Sequence, residues 1–529
     1  MKKKLMALML VAAIMMVGCK QGGKNVDSTG STNVGEAKTG GQLIVRHIGD
    51  PMSWDPDKLP DDNGYPIFQN IFNRLVKLDA SKKIVPDLAA SWDVSEDAKE
   101  ITFHLRENAK WHDGEKVTAE DVKYTFEKIK SDQAYLMNTK FQNIESFDVV
   151  DDNTITFKLK EPDISLIAEL GWYSTFILPK HVLDNGKPWE ENEAITSKPI
   201  GSGPFKLEKF VQGESITLVK NEDYWEGAPK LDKVVYSIIP DDATAVQALV
   251  NGELDFLENV PSASAEQLLQ DENIRMELNR YPSPMRLIFN MENEKVKDVA
   301  VRKAISYAID KEEISKKVFH GFQKPEYSMY PSLIEEFANT KDVSPKFSIE
   351  DAVKTLEDAG YKKDKDGYYI RGLEIEVFEG GGYPDAAKLM EASLKKAGIE
   401  MKINVSEYNA WAEKVGTNHD YIMELQGGFM GPDPSALNAR YGTGASNNWS
   451  QYSNPEFDKL VKEANTEPDN AKRADLYKQA QKILAEDAVF VPVIEFASYD
   501  ANSKRYENLP IDGEGKWGWA EFTFTEMVK

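Results

Sequence analysis

Cysteine is almost absent from these 529 residues: Cys19 is the only one, so the body of the chain folds without disulfides and relies on its core. Histidine is scarce as well. His47, His104, His112, His181, His320 and His419 stand singly, and none has the paired spacing on one helix that a zinc site uses. No G-x-S-x-G elbow, Walker loop or G-x-G-x-x-G occurs, which removes the commonest signatures of serine hydrolases and of nucleotide and dinucleotide binding. No repeat with a period of 20–50 residues is visible, which argues against a solenoid or propeller. Apart from Leu5 to Val17 nothing resembles a membrane span, and that run is itself too short to cross a bilayer. Basic runs are missing too. With a formal charge of −24, the surface repels a phosphate backbone, so nucleic acid is not an expected partner. No cofactor or metal is expected either.

What is present begins with a signal. Lys2, Lys3 and Lys4 precede the apolar run and small Gly18 follows it, the pattern of a secretory signal over residues 1–18. Lys20 to Thr39 holds Gly22, Gly23, Ser28, Thr29, Gly30, Ser31, Thr32 and Gly35 with hardly an apolar side chain. It reads as a flexible leash with a reach of roughly 25 Å. The 490 residues beyond it exceed what one core can organise, so at least two globular lobes are expected.

After Gly40-Gly41, Leu43-Ile44-Val45 reads as a buried strand, followed by a loop from Asp50 to Gly64. Ile101, Phe103 and Leu105 alternate with polar residues, as do Ile155, Phe157 and Leu159, so both segments read as strands with one face on a core. Between them Thr118, with Asp121 three residues on, reads as the N-cap of a helix carrying Val122, Phe126 and Ile129. From residue 285 strands alternate with capped helices, the texture of βαβ units with parallel strands. Ser348 caps one helix, residues 385–397 form another that ends at Gly398, Asn454-Pro455 opens a third, and residues 469–487 form the longest.

Two resemblances sharpen this reading. Met16-Val17-Gly18-Cys19 resembles the lipobox of bacterial lipoproteins, with Met16 where leucine is usual. The resemblance implies a lipid on Cys19 and a lipidated tether over residues 19–39. Beyond residue 40 the chain resembles the family 5 extracellular solute-binding proteins, which deliver dipeptides and oligopeptides to ABC importers. Carrying the likeness are Pro86-Asp87-Leu88-Ala89 with Ser91-Trp92, Ile101 to Arg106, Trp111-His112-Asp113-Gly114, Thr118 to Val122, Gly201 to Phe205, Asn221 to Trp225, Val301 to Ile305 and Tyr452 to Asp458. It implies an α/β, two-lobed periplasmic-binding-protein-like fold with a hinge of two crossing segments. Lobe I would be residues 40–284 with the tail 498–529 and an inserted subdomain at about 76–204; lobe II would be 285–497. The implied protein is a monomer, exported and lipid-anchored to the outer face of the cell membrane, on the periplasmic side where an outer membrane exists. It would be a binding protein rather than an enzyme, with a peptide ligand and the permease subunits of an ABC transporter as partners.

A peptide offers an ammonium, a carboxylate and main-chain groups, so its cleft needs an acid, a base and strand-like partners. Gly427-Gly428-Phe429-Met430-Gly431-Pro432-Asp433-Pro434 resembles the family's cleft loop, which implies ligand contacts from Gly428, Phe429, Met430 and Asp433. Two readings of Asp433 stand, partner of the ligand's ammonium or a structural turn acid. For the carboxylate the arginine usual in dipeptide-binding relatives is replaced by Lys388, and Arg440 and Arg286 are the other candidates, each with a plain salt bridge as its competing role. Trp54, Tyr383 and Trp449 are candidate cleft walls. Nickel chelates, opines and oligosaccharides remain open as ligands within the family, and an exported hydrolase or a sensory or adhesive lipoprotein outside it.

Overall fold

Two strands organise the molecule. The computed structural model describes residues 40–529 apart from 59–60, 62, 80–82, 172–173, 342, 429, 432, 446, 510–521, 524 and 529. Within it the strand Ile274–Phe289 runs for 16 residues and Phe490–Ser503 for 14, well beyond the usual five or six. They pair antiparallel from Ile274 opposite Ser503 to Ile288 opposite Phe490. Each leaves one hydrophobic core and enters another. Ile274 and Ala501 pack with Leu249, Leu257 and Leu268. At the far end Met285, Leu287 and Phe289 pack with Val491 and Val493, while Ile288 and Phe490 point into a further cluster with Tyr441 and Tyr477. These strands therefore join the two lobes of an α/β fold. Their pairing changes register between Arg280 and Pro284, where Pro282 and Pro284 have no N–H to give to a ladder. Across this step the Arg280 guanidinium bonds the Glu495 carboxylate at 2.7 Å.

The paired strands lie inside a ten-stranded sheet. Its spatial order is Ile399–Ser406, Ile370–Phe378, Met423–Gln426, Ile274–Phe289, Phe490–Ser503, Phe256–Val260, Gln42–His47, Lys233–Ile238, Ser215–Lys220 and Phe205–Val211. In the second half of the chain Ile370–Phe378 runs parallel to both Ile399–Ser406 and Met423–Gln426, as the alternating texture requires. The helices follow their caps. Ser348 accepts the Asp351 N–H at 3.0 Å, Asn454 accepts the N–H groups of Glu456 and Phe457 at 3.0 and 3.3 Å, and Asn470–Glu486 runs for 17 residues. The helix Tyr383–Lys396 starts two residues earlier than the periodicity suggests, because Pro384 presets its first turn.

A separate four-stranded sheet takes the order Ala89–Val94, Glu100–Leu105, Thr154–Leu159, Ile144–Asp151. Ile101, Phe103, Ile155 and Phe157 are fully buried on its inner face, each contributing roughly 1.5–3 kcal/mol of burial, and the Phe103 and Phe157 rings lie 5.0 Å apart. The Asp121 carboxylate accepts the Thr118 N–H and hydroxyl at 2.8 and 3.0 Å and the Lys180 N–H at 2.9 Å, which is cap chemistry. The folded body begins and ends at one place. Gly40 donates to the Lys230 carbonyl at 2.7 Å, and the strand Glu526–Met527, paired with Tyr506–Glu507, sets the Met527 methyl beside Gly41.

Candidate ligand site

The strand Met423–Gln426 is buried along its whole length, between a parallel neighbour and an antiparallel one. Such strands read as near-continuous apolar runs. This one carries Glu424 and Gln426. In its register Arg286 lies opposite Gln426 and Ile288 opposite Glu424, and because side chains alternate, Arg286, Glu424 and Gln426 share one face. The strand ends at Gly427-Gly428, and the loop docks on the crossing strand. Gly428 donates to the Ser283 hydroxyl at 3.2 Å and Met430 to the Pro282 carbonyl at 2.9 Å.

Arg286 has no exposed surface, yet its guanidinium meets only neutral acceptors. Nη1 donates to the Tyr441 hydroxyl at 3.2 Å and to the Met430 sulfur at 2.9 Å, Nη2 donates to the Gly427 carbonyl at 3.1 Å, and Nε has no acceptor. Arg440 stands in the last turn of the helix Ala436–Tyr441 and reaches the same point. The Nη2 atoms of both arginines lie 3.7 Å from where a Cβ on exposed Gly428 would sit. Burial, and then the like charge of Arg286, bring Arg440 down to about 10. The Glu424 carboxyl is pushed up to about 8 by burial, against the pull of Gln426 and the two arginines. Its Oε1 accepts from Gln426 Nε2 at 2.6 Å, and its Oε2 has no partner.

Aromatic rings border this cluster. Tyr383 lies 4.4 Å from Phe378 and 6.0 Å from Phe496, Phe378 lies 4.8 Å from Trp411, and Trp411 lies 5.7 Å from Trp449. A Cβ on Gly427 would fall 2.3 Å from the Tyr383 hydroxyl and 2.6 Å from the Phe496 ring, so only glycine lets them cover this strand end.

The other expected residues fall elsewhere. Both Asp433 oxygens accept from Arg473, at 2.7 Å each, and Oδ1 also takes the Ser435 N–H at 2.9 Å. Its ion partner in this structure is a buried arginine of the same chain, the pairing expected of the turn acid, the second of its two readings. Lys388 is exposed and pairs with Asp385 at 2.9 Å on its own helix, so it does not stand in for the missing arginine. Trp54 is core rather than cleft wall, buried with its ring 5.5 Å from Phe210 and 6.2 Å from Phe68. Phe429 and Cys19 lie outside the described residues. Arg286 and Arg440, read from sequence as alternatives, are neighbours. Glu424 and Gln426 were missed, although two polar residues inside a buried strand are a signal legible in the sequence. Among the described residues no group of three or more histidine, cysteine, aspartate or glutamate side chains could hold a metal ion, and no helix is long and apolar enough to cross a membrane.

Comparison with known proteins finds relatives over most of the chain. The family model for bacterial extracellular solute-binding proteins, family 5 Middle, matches residues 83–449. The oligopeptide-binding protein AppA of Bacillus subtilis is 30% identical over 91% of this chain and 91% of its own length. Among solved structures, the ABC transporter substrate-binding protein CtaP from Listeria monocytogenes superposes with a TM-score of 0.81 at 26% identity, covering 93% of this chain and 100% of that one. The ABC transporter-associated periplasmic binding protein DppA from Helicobacter pylori, in complex with the peptide STSA, gives 0.72 at 28% identity over 93% of this chain and 99% of that one.

Proposed function

Since the chain belongs to the family 5 bacterial extracellular solute-binding proteins, we propose that it is an exported receptor that captures a peptide between its lobes and delivers it to an ABC importer. The observation that carries the ligand reading is the convergence of one buried and one half-buried guanidinium group on an exposed glycine at the end of a sheet strand. There a ligand carboxylate finds donors from Arg286 and Arg440, the exposed Gly428 backbone offers a strand-like edge, and Met430, Tyr383 and Trp449 bound the space around it. Relatives named as binding proteins, rather than enzymes, agree with a cleft that holds its ligand without turning it over.

Lobe I comprises residues 40–284 and 498–529, with an inserted subdomain at about 76–204, and lobe II comprises 285–497. The separate four-stranded sheet and the change of core along the paired strands support these limits. Residues 1–18 are removed on export, Cys19 carries lipid, and residues 19–39 tether a monomer to the membrane through that lipid alone. Ligand binding favours the closed arrangement of the lobes to the extent that it binds that arrangement more tightly.

A native mass spectrum of the full-length protein, purified gently from cells grown in rich medium, tests the reading. A ladder of bound masses that fragment as peptides is expected. A discrete mass with a metal isotope pattern or hexose spacing, or a protein that retains nothing and takes up no dipeptide in calorimetry, would overturn it.

A further inference from the structure

We infer that Glu258, Asp500 and Asn279 form a subsite for the ligand's ammonium on the floor between the lobes; this rests on the peptide reading above and gives the ligand's other end its partner. Three adjacent strands build it. Side chains alternate along Phe490–Ser503, so Phe496, Ser498, Asp500 and Asn502 share one face. Pairing puts Asn279 on that face opposite Ser498, and Phe256 opposite Asn502. Glu258, two residues beyond Phe256, joins them. At one end of this face Phe496 lies beside Tyr383 and Gly427, and at the other Phe256 packs in a core with Val45 and Phe68. Phe496 and Ser498, between the two cores, are only half-buried.

The lobe I end of this face is rich in acceptors. Asp500 and Asn279 are both buried, and Asp500 takes the Asn259 N–H on Oδ1 and the Asn279 amide N–H on Oδ2, at 2.8 Å each. The second bond holds the Asn279 amide against the carboxylate. Among the described residues its Oδ1 meets no donor, and neither do Glu258 Oε1 and Asn502 Oδ1. Burial, and behind it the Asp500 charge, hold the Glu258 carboxyl well above the usual carboxylate range, so the two acids share a proton and keep one negative charge between them. Arg46, the cation whose field reaches Glu258, gives its guanidinium to the Ile239 and Pro240 carbonyls and to the Asp242 carboxylate. A charged acid pair with unpartnered amide and carboxyl oxygens beside it suits a cation that carries several N–H donors, which an ammonium does.

The test is calorimetry on the full-length protein with tetra-alanine and N-acetyl-tetra-alanine. Extended, four residues reach about 14 Å, enough to span the roughly 13 Å of strand from Phe496 to Asp500. Tetra-alanine should bind at least tenfold more tightly than its acetylated form. Either acid alone can carry the one charge, so both are changed. In the double variant Glu258→Gln with Asp500→Asn, which keeps shape and removes charge, the preference should fall below about threefold, a ratio that loss of folded protein alone does not move. Equal binding of the two peptides by the parent protein, or a preference that the folded double variant retains, would overturn the inference and leave the peptide reading intact. Should neither peptide bind, the solutes released by heating the purified protein decide. Cationic solutes that are not peptides, present with the parent protein and lost with the folded double variant, would uphold the subsite and remove the peptide reading; a parent protein that releases no such solute would overturn it.

Discussion

Two buried arginine sites flank one loop and end differently. At Asp433 and Arg473 the guanidinium fork meets a carboxylate fork, two bonds of 2.7 Å with both side chains out of water. At Arg286 and Arg440 two forks meet each other over a glycine, and the acid nearest them in the sheet is driven toward its neutral form. The residue types are the same. What separates the two is the group opposite the guanidinium: a carboxylate at Arg473, neutral acceptors at Arg286. The Asp433–Arg473 pair fixes the loop, whereas the guanidinium groups beside an exposed backbone are the donors proposed for a ligand carboxylate.

The comparison can be broken most sharply at Arg473. Arg473→Met strands the Asp433 carboxylate in the interior and should cost about 3–5 kcal/mol of stability in urea unfolding. A loss below about 1 kcal/mol would mean that water reaches the pair and that it is no more complete than the other.

Glu424 tests the second site through pH. Its carboxyl is raised from 4.5 to about 8 in the folded chain. Between those values the folded state keeps a proton that the unfolded state releases, so this group's contribution makes stability fall as pH rises from about 5 to 8 and level off above that. Glu424→Gln removes that slope. The gap between parent and variant should widen over this range by something on the order of 2–4 kcal/mol in unfolding free energy. Glu495 and Asp500, raised to about 7 and about 6 mainly by burial, slope the same way in both proteins, so the difference isolates Glu424. Parallel curves would sink the assignment.

Arg440→Gln tests the ligand reading, with affinity for a dipeptide falling by about 1.4–2.8 kcal/mol in calorimetry if its guanidinium holds the ligand carboxylate. A drop in stability of the size expected for Arg473→Met would show the two arginine sites to be of one kind. Smallest of all is Lys388→Ala. An exposed pair on one helix is worth roughly 0.5 kcal/mol or less, and neither unfolding nor peptide affinity should move beyond that.

Much of the fold was legible because periodicity and caps are local. Ser348, Asn454 and Thr118 announce their helices within three residues, and the alternation at Ile101 and Ile155 announces two strands that do bury those faces. The order of the ten-stranded sheet was not, since strands that neighbour in space lie as far as 246 residues apart in the chain, as with Phe256 and Asn502. The site was legible in kind rather than in partnership. Sequence proposes Asp433 and three cations, but which of them meet depends on Arg473, 40 residues further on, and on a register that sets Arg286 opposite Gln426. Trp54 illustrates the same limit: an aromatic on an irregular loop carries no period to say which way it faces, and this one faces inward.

The chain that leads into the first strand of the folded body meets the last one: a Cβ on Gly41 would lie 3.2 Å from the Met527 methyl, and Glu526–Met527 pairs with Tyr506–Glu507. That fixes the path of mechanical load. A pull along the chain that precedes Gly40 enters the strand Gln42–His47, which pairs with Lys233–Ile238 on one side and, at Val45, with Phe256–Val260 on the other. Were the tether proposed for residues 19–39 to carry load, it would pull on the sheet with three strands standing between its point of entry and the strand that ends at Gly427.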